Sequence, residues 1–201
     1  MLTNLDLNAA RELDDLIGLS EGKNELAFVF CDPVTKDPAF REALRHFDSS
    51  DYIRALGKLR PLLGQYPPSA YYFCLLGISA ARTGAHSDAI AAFQSAMRLD
   101  LTTVGNWVAG ASLGSSELFS GGDGSAPQEA VVINVFSTAI GIPAEYAFLE
   151  REYGEQNKDW KVSERQVLEE GNRVIERFSI ATKGGQTRSM FFDATSFYGK
   201  W

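Results

Sequence analysis

Gly110-Ala111-Ser112-Leu113-Gly114 has the spacing of a nucleophile elbow, in which a serine held on a sharp strand-to-helix turn attacks a carbonyl. That chemistry needs a histidine later in the chain to take the serine proton. The two histidines, His46 and His86, both precede Ser112. A helix is expected before the serine, so small residues in a helix cap account for the run. Gly121-Gly122-Asp123-Gly124-Ser125 offers backbone N–H groups to a phosphate, but it has neither the P-loop lysine nor the dinucleotide-binding spacing. A flexible joint is the reading. Glu145, Glu150, Glu152 and Glu155 scatter around a helix instead of converging, which describes a solvated face. Asp193, after Met190-Phe191-Phe192, is placed to accept from the backbone N–H of Thr195 or Ser196 as an Asx-turn. Its alternative use is general-base catalysis with Arg173 or Arg177. Cys31 and Cys74 form no Cys-x-x-Cys pair and read as buried free thiols. With two imidazoles they are too few for zinc. The expectation is no catalytic residue, no metal and no cofactor.

Composition fits an ordinary soluble protein, at 45% hydrophobic and 22% charged over 201 residues, enough for one sizeable core or two small ones. The net charge of −7 argues against nucleic-acid binding, which wants a basic face. No lysine or arginine stands between Arg98 and Arg151, while Asp100, Glu117, Asp123, Glu129, Glu145 and Glu150 do. Such a surface steers a basic partner, or serves solubility alone. The first residues lack the pattern of a secretory signal, and the apolar stretch Ala130 to Ala144 is too short and too interrupted to cross a membrane. The chain is expected to be soluble and cytoplasmic.

The elements that would position these residues fall into two halves. Leu7, Ala10, Leu13, Leu16 and Ile17 are at helical spacing, and Leu26 to Phe30 is a short strand or a helical turn. Residues 36 to 103 then read as two copies of a 34-residue unit. Ala43 stacks over Gly77, Ala55 over Ala89, Leu59 over Phe93 and Leu62 over Ala96. Small and aromatic residues at these offsets let two helices pack closely and then repeat. The helices are expected over 38–47, 51–65, 69–83 and 87–99, with Pro61 an awkward member of the second. A further helix over 104–113 would cap the array, since two units are fewer than about three needed for a continuous core.

Phe73, Leu76, Gly77, Gly84, Ala89, Phe93 and Ala96 occupy the pattern positions of a tetratricopeptide repeat, and the second unit resembles that family. Ala80 and Leu101 depart from it where tyrosine and proline are common, and the first unit matches more loosely through Ala43, Ala55, Leu59 and Pro67. The resemblance, over about residues 36–113, implies a helical solenoid of two to three helix pairs whose first helices line a concave, protein-binding face. Projected onto this chain, that face carries Phe40, Leu44, Phe47, Asp48, Tyr71, Cys74, Ile78 and Arg82. It would hold a partner's helix or extended segment, or the chain's own N-terminal helix.

Beyond the helical domain (1–118), residues 119–129 read as a linker and 130–201 as a small α+β domain. A strand at Val131 to Phe136 is followed by a helix opened by Pro143 and running to about Tyr153. Strands at about 161–168, 172–183 and 187–193 then form an antiparallel meander, with turns at Gly171 and Gly184-Gly185. Val174, Phe178 and Ile180 form its inward face. The motifs at Gly122–Pro127, Glu145-Tyr146 and Phe192–Gly199 resemble an uncharacterised bacterial domain, which implies a bacterial source and no particular activity. Taken together, an α+β chain of this kind is expected to be a non-catalytic adaptor, chaperone or toxin-neutralising immunity protein. It would bind one protein partner, with a basic partner suiting the charge. The alternatives are an enzyme with its site in the C-terminal domain, or a structural subunit. The oligomeric state is left open.

Overall fold

The computed structural model describes residues 33–113 and 117–201. The expected N-terminal helix, the Leu26–Phe30 segment and Cys31 lie outside the described residues. A short 3-10 turn, Pro33–Lys36, leads into five helices: α1 (Pro38–Asp48), α2 (Tyr52–Leu59), α3 (Ala70–Arg82), α4 (His86–Leu99) and α5 (Leu101–Leu113). Local chemistry sets their ends. The Asp37 carboxylate accepts from the Ala39 N–H at 2.6 Å, with Pro38 in the first turn where a missing N–H costs nothing. Asp51 caps α2 through the Arg54 N–H, and Ser69 caps α3 through the Tyr72 N–H at 3.1 Å. Gly84, at φ 75°, turns the chain between α3 and α4.

In the helical half two boundaries differ from the sequence expectation by more than one residue. α2 stops at Leu59 and gives way to a 3-10 turn, Arg60–Leu62, because Pro61 cannot donate the next helical hydrogen bond. α5 starts at Leu101, earlier than expected, because Asp100 accepts from the Thr103 N–H at 2.9 Å and caps it.

Each of the five helices packs on the next in sequence. The paired positions Ala43 and Gly77, Ala55 and Ala89, Leu59 and Phe93, and Leu62 and Ala96 are all buried. Tyr52 and His86, which open α2 and α4, stand 34 positions apart.

The C-terminal half is a five-stranded sheet with one long helix, so the described chain is mixed α+β. The strands are β1 (Phe119–Gly121), β2 (Val131–Ile133), β3 (Trp160–Glu170), β4 (Arg173–Thr182) and β5 (Thr187–Asp193), in the order β1-β2-β5-β4-β3. The β3-β4-β5 meander is antiparallel, with Gly171 and Gly185 at positive φ in its two turns. β2 adds to it in parallel, beside β5.

The stretch expected to be a linker is part of this sheet. β1 pairs antiparallel with β2, the Gly122 N–H donates to Ala130 O at 3.2 Å, and the Gly124 N–H donates to Glu129 O at 2.6 Å. A Cβ on Gly122 would stand 2.4 Å from Glu129 O, so the glycine is required by close approach of two backbones.

The helix α6 (Thr138–Tyr153) crosses the sheet and begins five residues before Pro143. Ser137 caps it, accepting from the Ala139 N–H at 3.3 Å, and its carbonyl receives the Gly141 N–H at 2.8 Å. Pro143 is therefore carried inside the helix, which forfeits one hydrogen bond.

α6 also packs against α4, and the bidentate Arg98–Glu150 pair joins these two helices at their surface, with Nε–Oε1 at 2.9 Å. One continuous hydrophobic core consequently runs from Phe40 through Phe93 to Phe178 and Phe192.

Candidate functional site

The eight residues projected onto a concave face all lie on α1 and α3, and Phe40 meets Tyr71 edge-on with ring centroids 6.1 Å apart. Phe40, Phe47, Tyr71, Cys74 and Ile78 are buried and belong to the core. Large apolar side chains facing each other across two helices fill the space between them. Leu44 and Arg82 are half-buried and Asp48 is exposed, with the Arg82 guanidinium 5.7 Å from the Tyr52 ring centroid. Burial pushes the Cys74 thiol far up, and pushes the Tyr71 hydroxyl up to about 12 with help from Asp48 and Cys74. A thiol so placed is an inert packing group.

Exposed apolar surface on the helical half lies elsewhere. Leu63, 58% exposed after the Pro61 turn, stands with Phe73, Leu76, Ala91 and Ala92 around a groove of about 420 Å³. The Arg60–Asp88 ion pair closes its rim. Leu63 and Phe73 also line an adjoining hollow of about 220 Å³ with Val34, Leu62, Tyr66 and Tyr72. Sequence reasoning passed over Leu63. The signal was a leucine stranded between Pro61 and Gly64, beyond the point where the helix can continue.

Of the chemical motifs, Ser112 falls inside α5, a helix instead of the strand that a nucleophile elbow requires, and Gly114 lies outside the described residues. In the Gly121–Ser125 run the N–H groups of Gly122, Gly124 and Ser125 are all committed within the protein, the last to Asp123 Oδ1 at 2.9 Å. The run is a fixed turn, neither a phosphate cradle nor a joint.

Asp193 takes the Asx-turn role. One carboxylate oxygen accepts from the Thr195 N–H at 3.0 Å and from its hydroxyl, while the other accepts from Arg173 Nε at 3.0 Å. Burial raises the Asp193 carboxyl, but the Thr195 bonds and Arg173 outweigh it and hold the group below its usual range. Arg177 is turned instead to Glu164, at 3.1 Å.

The acids that converge are a pair that sequence reasoning did not assemble. Glu145 of α6 and Glu176 of β4 are both buried, and Arg165 of β3 donates through one nitrogen, Nη2, to both, at 3.0 Å to Glu145. The guanidinium also lies over the Phe178 ring, 4.9 Å from its centroid. Glu145 Oε1 has no hydrogen-bond partner among the described residues. Burial, and then the neighbouring Glu176, push the Glu145 carboxyl well above the carboxylate range, against the pull of Arg165.

Arg165 and Glu176 of this cluster line a cavity of about 470 Å³ at the N-terminal end of α6. Thr138, Ile142, Val167, Phe197, Tyr198, Gly199 and Trp201 complete its lining. Thr138 Oγ1 donates to Phe197 O at 2.7 Å, and the Thr138 N–H donates to Lys200 O at 2.6 Å, which holds the C-terminal tail on the helix end.

Among the described residues no group of three or more His, Cys, Asp or Glu is arranged to hold a metal, and no helix is long and apolar enough to cross a membrane. No protein-family model, curated protein or solved structure matches this chain.

Proposed function

We propose that the chain is a non-catalytic protein-binding module, an adaptor, chaperone or toxin-neutralising immunity protein that recognises one cognate, basic protein. The observation that carries this reading is the groove around Leu63, Phe73 and Leu76, an apolar surface on paired helices that leaves Leu63 mostly in water. Its partner is a segment with apolar anchors and basic flanks, because the net charge of −7 attracts such a chain and hastens its association. The 34-residue spacing of α2 and α4, with matched buried positions, supports the reading of these helices as tetratricopeptide-like units in a short solenoid. The docking of α4 on α6 supports the idea that the C-terminal half covers one end of that array.

A second reading, an enzyme in the C-terminal half, has one observation in its favour. Burial raises the Glu145 carboxyl, its partners Arg165 and Glu176 line a cavity, and acids so perturbed cluster at active sites. Partner capture with the full chain, paired with Leu63→Asp, tests the first reading. Turnover of hydrolase or transferase substrates that Glu145→Gln abolishes would favour the second.

A further inference from the structure

The long outer strand of the sheet is open. β3 pairs with one strand, β4, while β1 at the opposite edge is three residues long. Seven of the eleven residues of β3 are exposed, among them Val167, a β-branched apolar side chain at 41%. In an antiparallel pair every second residue turns its N–H and C=O away from its neighbour, so this edge offers a row of backbone donors and acceptors. Natural edges are commonly guarded by lysine, by proline or by a bulge. β3 has its bulge between Val162 and Glu164, which limits straight pairing to Glu164–Glu170. That stretch contains neither lysine nor proline, and Val167 is its midpoint. Alternation puts Arg165, Val167 and Glu169 on the face toward α6, opposite Phe178, Glu176 and Val174 of β4. Glu164, Gln166, Leu168 and Glu170 share the other face.

We propose that the chain associates with a second copy of itself through β3, antiparallel about a two-fold axis at Val167, making one continuous sheet across the dimer. In this register Val167 meets its own counterpart, while Arg165 and Glu169 of each copy meet Glu169 and Arg165 of the other. One face thus carries an apolar centre flanked by two opposite-charge pairs. A shift of one residue would mix the two faces. A shift of two would part Arg165 from Glu169 and run the strand into the bulge or the Gly171 turn. Arg165 is free to serve the pair, because Glu145 and Glu176 engage Nη2 alone and the side chain is 31% exposed. The unfavourable element is Glu164 opposite Glu170, tempered because Arg177 already donates to Glu164 at 3.1 Å. With only the short β1 edge left over, the pairing closes at two copies. Seven residues a side is well under the about 20–30 of a standard stable interface, so the association is weak and concentration-dependent. The Leu63 groove, on the helical half, takes no part in this contact.

Sedimentation equilibrium of the full chain from about 1 μM to about 1 mM tests the pairing, and a reversible monomer–dimer equilibrium is expected. Glu169→Lys sets a cation opposite Arg165 and is expected to weaken the dimer by about tenfold, since the pair occurs twice. Glu170→Lys sets one opposite Glu164 and is expected to tighten the dimer by about threefold or more. Both side chains are exposed and both substitutions change the net charge equally, so a general easing of repulsion between acidic copies would move them in the same direction. A monomer throughout the range, or a dimer that the two substitutions shift the same way, would overturn the edge pairing. So would a dimer lost in Leu63→Asp and unchanged in Glu169→Lys, which would assign the contact to the groove. A dimer that answers the two lysines in opposite senses, from a chain that captures no basic partner, would uphold the pairing and remove only the proposed function.

Discussion

Gly77 lies directly beneath the ring of Phe93: a Cβ added to Gly77 would stand 2.9 Å from ring carbons Cδ2 and Cε2. The ring belongs to α4 and the glycine to α3, so the missing side chain sets how closely the two helices approach. Overpacking a filled core costs about 1–3 kcal/mol, and here the obstruction is a fully buried ring with nowhere to move. Gly77→Leu is expected to destabilise the protein by about 3 kcal/mol or more. That corresponds to a melting temperature lower by roughly 6–12 °C. Thermal unfolding followed by circular dichroism checks it, and an unchanged melting temperature would refute the packing.

Glu145 makes stability depend on pH in an unusual direction for an acid. Its folded value is raised above the ordinary 4.5, so the folded state favours the protonated form. The stabilisation is fully present below about that ordinary value and is lost as pH rises through the folded one. Arg165 and Glu176 face it from the sheet and Tyr146 adjoins it on α6. Glu145→Gln, which is neutral at every pH, is expected to flatten this slope. Urea unfolding of both proteins across the acid-to-neutral range measures it, and parallel slopes would show that Glu145 does not titrate as described.

Asp193 behaves in the opposite sense. Its folded value is depressed, so its contribution is present above the ordinary 3.8 and disappears as pH falls through the folded value. Asp193→Ala removes acceptors from the Thr195 N–H and from Arg173, and is expected to cost about 1–2 kcal/mol at neutral pH. Chemical denaturation gives the value. Should an activity be found that this variant abolishes with stability unchanged, the turn role would be displaced by a catalytic one.

The helical half was legible because its signals are local and periodic. Asp37-Pro38, Ser69 and Gly84 mark ends that short-range hydrogen bonds and backbone freedom dictate. Pro61 was visible as a problem, and its resolution, a 3-10 turn that strands Leu63 at the surface, follows from the missing N–H. The projected face on α1 and α3 is buried at Phe40, Phe47, Tyr71, Cys74 and Ile78. Spacing says which side chains share a face, and only packing says whether that face stays open. Pro143 misled because a proline usually marks a first turn, while Ser137, six residues upstream of it, offered a better cap. The parallel pairing of β2 with β5 joins residues about 60 positions apart, beyond the reach of any local pattern. Glu176 carried a signal that was overlooked. It stands in the inward register between Val174 and Phe178, where an acid needs a partner, and Val167 and Arg165 oppose Glu176 and Phe178 on β3.

The measurement that bears most directly on the account is affinity capture from the source organism with the parent chain and Leu63→Asp as parallel baits. Leu63 is exposed, so the substitution is expected to leave the melting temperature within about 2 °C of the parent, as surface changes of less than about 0.5 kcal/mol do. The account predicts one basic protein retained by the parent chain and bound at least about tenfold more weakly by Leu63→Asp. A partner held equally by both, or no protein above background with the parent chain, would contradict it.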